Sequence, residues 1–142
     1  MAHSHGRLAP SAPKDKFYAA LGWPIDSNSE GMYQALLREV DKGRQRLIAD
    51  PNNLQNSDPK LRPPYSWAHI SESAKHKEVR EIFRTASPIA APYFQYGEFM
   101  DGQNQDNWVI RWLLWHTFRY KDSRNVRVTH SSKSNYLFYE EY

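Results

Sequence analysis

The residues of this chain whose types and spacing best support chemistry are cations near its C-terminal end. Between Arg111 and Lys133 lie six of them, with Asp122 the only acid, a local excess of +5. Lys and Arg neutralise phosphates and release condensed counterions, which gives sequence-independent affinity for nucleic acid. Arg119, Lys121, Arg124, Arg127 and Lys133 are therefore the candidate nucleic-acid-binding residues. The same cations also suit a helix C-terminus, whose dipole they complement.

A second constellation is aromatic. Five Trp, nine Tyr and six Phe exceed what one small core needs, and Tyr and Trp are enriched at binding hot spots. Tyr65, Trp67, Tyr93, Phe94, Tyr96 and Tyr139 form the expected surface of a protein-interaction or self-association module.

Signatures of catalysis are sparse. Ser66 with His69, His116 with Asp122, and Glu98 with Asp101 are pairs that folding could bring together. A carboxylate among Tyr93, Tyr96 and Phe99 would have its pKa raised by burial and could act as an acid or base. There is no glycine-rich phosphate loop, nucleophile elbow or His-Glu-x-x-His element, and the six histidines lack metal-ligand spacing. No catalytic residue, metal or cofactor is expected.

These groups must be positioned by a short list of elements. Lys14–Leu21 reads as a helix with Phe17 and Leu21 on one face and Gly22 as its C-terminal cap. Ser27-Asn28-Ser29-Glu30 offers a capping box for a second helix. Met32/Tyr33, Leu36/Leu37, Val40 and Leu47/Ile48 form its apolar stripe, Gly43 interrupts it, and Asp50-Pro51 ends it. Residues 51–64 read as a mobile polar loop, with Tyr65 and Trp67 pinning its far end. Ser73–Ala86 is a third helix, with Val79, Ile82, Phe83 and Ala86 inward. Pro88–Gln103 reads as an apolar loop with at most one short strand.

A Trp-rich helix then runs to about Lys121, capped by Asp106 or Asn104. Its run of Trp108, Val109, Ile110, Trp112, Leu113, Leu114, Trp115 and Phe118 marks it as the centre of the core. Val126–His130 and Asn135–Tyr139 read as two strands of a hairpin. The predicted fold is mainly α with a small β-hairpin, four helices followed by a C-terminal two-stranded hairpin, winged-helix-like in outline. Residues 1–13 are predicted to be a flexible tail and 14–142 a single globular domain.

Phe17-Tyr18 and Leu21-Gly22, followed by Asp26-Ser27 and a basic amphipathic helix, resemble the opening of a J-domain co-chaperone. The His-Pro-Asp loop of that family is missing where the second helix ends in Ala49-Asp50-Pro51, so the resemblance implies a helix–turn–helix and no chaperone activity.

Composition bounds the function classes. The 142 residues carry a net charge of +3 and a pI of about 9.1, compatible with a polyanionic partner without requiring one. The absence of cysteine removes disulfides and thiolate-ligated metals, and fits an intracellular chain, nuclear or cytoplasmic. No apolar run is long enough for a membrane helix, and the first residues do not read as a secretory signal. The expected function is a non-enzymatic binding domain, nucleic-acid or chromatin-associated through its basic C-terminal edge. Protein interaction or self-association through aromatics is the alternative. A small enzyme or ligand-binding protein with an aromatic pocket is the third reading.

Overall fold

The computed structural model describes residues 7–55, 60–63 and 65–121. The elements in chain order are α1 (Lys14–Leu21), α2 (Ser27–Ala49), α3 (Glu72–Arg84), α4 (Ala91–Tyr96), β1 (Glu98–Asp101), β2 (Asn104–Asn107) and α5 (Trp108–Lys121). Short 3-10 turns at Pro51–Asn53 and Trp67–His69 flank the central loop. The fold class is that predicted, mainly helical with, among the described residues, one two-stranded antiparallel sheet. The hairpin described lies before α5; the one predicted over Val126–Tyr139, and with it the winged-helix outline, falls outside the described residues.

Local chemistry accounts for several helix ends. Gly22 adopts φ +73° just past α1, and its N–H and that of Trp23 bond to the carbonyls of Ala19 and Tyr18, closing the last turn. The cap of α2 is Asp26, which accepts from the Ser29 N–H at 2.8 Å. The predicted Ser27–Glu30 capping box is therefore displaced by one residue, and Glu30 is released to bond Lys14, Tyr18 and Gln34. Ser71 caps α3 through the Ala74 N–H. Asn107 caps α5 by accepting from Ile110, so neither Asp106 nor Asn104 fills the role predicted for them. Asp106 instead pairs with Arg111 at 2.8 Å.

Helix α5 is the axis of the core. Trp108, Val109, Ile110, Trp112, Leu113, Leu114 and Phe118 are buried, as predicted; Trp115 is half-buried. Helices α2 and α3 pack beside it with Tyr33, Leu36, Val40, Leu47, Val79 and Ile82. Gly43 makes the α2–α3 approach possible: a Cβ there would stand 2.5 Å from Ile82 Cδ1 and 3.0 Å from Glu78 Oε2. The interruption in the apolar stripe is thus a close crossing. Beside it the buried Glu78 carboxylate accepts from Arg46 of α2.

Three expectations for the connecting segments change. Residues 7–13, read as part of a flexible tail, lie against the core: Leu8 and Ala12 pack on it, and the Ala12 carbonyl accepts from Trp112 Nε1 at 2.9 Å. The mobile loop of 51–64 starts as an ordered turn, and Leu54 bridges to Ile70 so that the two ends of the loop are stitched together. The Pro88–Gln103 segment, read as a loop with at most one short strand, holds one strand, β1, and in addition the helix α4. Gly102 at φ +67° makes the tight β1–β2 turn, a backbone conformation that favours glycine. Strand β2, Asn-Gln-Asp-Asn, has none of the β-branched or aromatic residues that mark strands. It is held instead from α3, by His76 Nε2 donating to the Gln105 carbonyl at 2.7 Å and Arg80 donating to Gln105 Oε1 at 2.6 Å.

Candidate anion-binding groove

Helices α2 and α5 meet at an open groove of about 350 Å³. Gln34, Arg38, Asp41 and Gln45 line it from α2 at steps of four and three, one helical face. Lys42 and Leu37 flank that face, and Thr117, Tyr120 and Lys121 close the groove from α5. Leu37 and Tyr120 are half-buried and form an apolar floor; Arg38, Lys42 and Lys121 are exposed at the rim.

Asp41, the one acid among the described residues lining the groove, is already engaged. Burial works against the Asp41 carboxylate. Hydrogen bonds from Arg44 at 2.6 Å and Gln45 at 2.8 Å, with the charges of Arg44 and Lys121, outweigh it and hold its pKa below the usual range. Asp41 is therefore ionised at neutral pH, and the rim is cationic because Arg38, Lys42 and Lys121 outnumber it.

The predicted nucleic-acid-binding residues are only partly brought together. Lys121 lines the groove, whereas Arg119 stands 5.3 Å above the Trp115 ring. Two positions on a helix differ by about 200°, so these side chains leave α5 on different sides. Arg124, Arg127 and Lys133 lie outside the described residues. Arg38 and Lys42 were not among the predicted residues; their run was read as intrahelical pairing. That reading holds for Arg44, which pairs with Asp41, while Arg46 crosses to Glu78. The signal available in the sequence was the four-residue step from Arg38 to Lys42 on the side of α2 away from Leu36 and Val40.

The predicted aromatic surface is dispersed. Phe94 is fully buried and belongs to the core, because Asn107 of the α5 cap donates to its carbonyl and draws α4 against α5. Tyr93 packs edge-on to Trp23 at 5.2 Å, Trp67 against Phe118 at 5.5 Å and Tyr65 against His69 at 6.5 Å, all half-buried. Tyr96 is 50% exposed. Tyr139 lies outside the described residues.

Of the pairs considered for catalysis, Ser66 and His69 do meet. The Ser66 N–H donates to His69 Nδ1 at 3.1 Å and the hydroxyl lies 3.2 Å from the same nitrogen, the contacts of a capped turn. Glu98 accepts from Gln105, and Asp101 is exposed at the hairpin turn. Among the described residues no group of three His, Asp or Glu is placed to hold a metal ion, and no helix is long and apolar enough to cross a membrane.

His116 is buried, stacks on Trp112 at 3.7 Å and donates to the Ala12 carbonyl at 3.2 Å. Burial lowers its pKa from 6.5 to about 4, against the opposing effect of the Ala12 and Pro10 carbonyls. The unfolded chain then binds more protons than the native one between these values, so stability is full above about 6.5 and is lost as pH falls towards about 4. Glu30 and Asp41, with lowered pKa values, act in the same direction only below their ordinary 4.5 and 3.8. Urea unfolding between pH 6.5 and 4.5 should therefore show a decline that His116→Gln flattens. An unchanged decline in that variant would assign it elsewhere.

No protein-family model matches this chain, and no curated protein and no solved structure shows significant similarity to it.

Proposed function

We propose that this chain is a non-enzymatic binding domain whose α2–α5 edge takes a nucleic-acid backbone. The observation that carries the reading is the convergence of Arg38, Lys42 and Lys121 around a groove whose acid is held by Arg44 and Gln45. Three cations on one edge suit successive phosphates. The half-buried Tyr120 ring on the groove floor suits stacking of an unpaired base, which favours single strands over duplex. Beyond Lys121 the sequence adds Arg124, Arg127 and Lys133 to the same polyanion reading.

The test is fluorescence anisotropy with labelled single-stranded and duplex oligonucleotides over a range of salt. Three neutralised phosphates predict a log–log slope of at least about −2 for a single strand. Arg38→Gln/Lys42→Gln should flatten that slope by about 1.4 and weaken both substrates without altering sequence preference. Absence of binding at low salt, or a slope untouched by the double substitution, would overturn the reading.

A further inference from the structure

Next to the cationic groove lies a second hollow of about 550 Å³, at the start of α2. Asp15, Asp26 and Glu30 line it against one cation, Lys14, so its net charge is −2. The groove beside it holds Arg38, Lys42 and Lys121 against Asp41, a net charge of +2 from its described lining residues. Gln34 joins the two, lining the groove while donating to Glu30 at 3.0 Å. The surface that follows α2 is therefore acidic at its start and basic further along.

The charges on α2 follow a regular order. Asp26, Glu30, Gln34, Arg38 and Lys42 stand at successive four-residue steps, acids before Gln34 and cations after it. Such steps form an inclined ridge on a helix, the ridge used when two helices pack at about 50°. A two-fold axis passing by Gln34 sets Glu30 level with Arg38 of the copy and repeats that pairing by symmetry, while Asp26 and Lys42, about 160° apart around α2, add only longer-range attraction.

We propose that the chain pairs with a second copy of itself, antiparallel along α2, the acidic end of each copy seated against the cationic groove of the other. Exposed ion pairs contribute little singly, so apolar surface must add to them. Ile25, 83% exposed beside Asp26, supplies it at the acidic end, and Leu37 and Tyr120 supply it in the groove. The pairing is closed and self-complementary, so it ends at the dimer. It also covers Arg38 and Lys42, so a bound polyanion and the second copy compete.

Sedimentation velocity over a concentration series tests this. The full chain should show a mass that rises towards twice the monomer at low salt and falls back as salt is added. Asp15→Lys/Asp26→Asn makes the acidic end positive while Asn retains the cap of α2. Arg38→Glu/Lys42→Glu makes the groove negative. Each variant alone should be folded by circular dichroism and monomeric. Their equimolar mixture should dimerise, because each acidic patch then faces a basic one. The first variant should keep its oligonucleotide binding and the second should lose it, which separates this proposal from the nucleic-acid reading. A wild-type chain that stays monomeric at low salt, or a mixture of the two folded variants that does, would overturn the pairing.

Discussion

Trp112→Ala should lower the free energy of unfolding by about 3–5 kcal/mol, the range for removing a large buried ring. Trp112 is fully buried where three elements converge. Its ring stacks on Phe17 of α1 at 3.9 Å and on His116 at 3.7 Å, and meets the edge of Tyr33 of α2 at 6.1 Å. Its indole N–H also donates to the Ala12 carbonyl. Truncation opens a cavity between helices that cannot collapse without moving α5, and it removes a donor from a segment held by few other bonds. A domain of this size has only about 5–15 kcal/mol in hand, so the variant should unfold at a markedly lower urea midpoint. Trp112→Phe separates the two contributions, since it keeps most of the ring and loses the hydrogen bond. A loss below about 1 kcal/mol for the alanine variant would contradict the central role of this ring.

Asn107→Ala should rank second, at about 2–4 kcal/mol. The side chain does two things at once from a buried position. Its oxygen caps α5 by accepting from the Ile110 N–H at 3.0 Å, and its amide donates to the Phe94 carbonyl at 2.7 Å. Loss of a cap costs about 1 kcal/mol, and leaving a buried carbonyl without its donor adds about 1–3. Asn107→Asp is the informative control. It keeps the cap acceptor but cannot donate to Phe94, so it should recover only the smaller part of the loss in urea unfolding. Full recovery would mean that the Phe94 contact contributes nothing.

Both predictions rest on elements of unequal legibility in the sequence. The place of Trp112 in the core was readable, because a run of apolar and aromatic residues around a whole helix has no face left for water. The double role of Asn107 was not. Asn104, Asp106 and Asn107 are all good caps, and choosing among them requires knowing that α4 brings the Phe94 carbonyl to Asn107. The predicted cap of α2 was off by one residue for a similar reason: Glu30 is drawn away by Lys14 and Tyr18 of α1. Burial and the Glu30 bond together push the Tyr18 hydroxyl pKa up, which leaves it a donor at any ordinary pH.

The binding edge divides in the same way. Lys121 and Arg119 were readable as cations at a helix end, and their divergence follows from helix geometry alone. The order of charges from Asp26 to Lys42 is also written in the sequence. The meeting of Lys121 with Arg38 and Lys42 is not, since nothing within either segment names the other. Nor does the sequence mark Phe94 as core rather than surface, since the aromatic type suits both.

By itself, the sequence determined α1, α2, α3 and α5, their apolar faces and the Gly22 stop, though not the short α4, because these depend on contacts within four residues along the chain and on the spacing of side chains on one helix. Only the tertiary structure decided which faces meet, where the small sheet lies and how residues 7–13 dock. Those outcomes come from many weak dispersion contacts and a few long-range hydrogen bonds summed across distant segments, and no local pattern records such a sum.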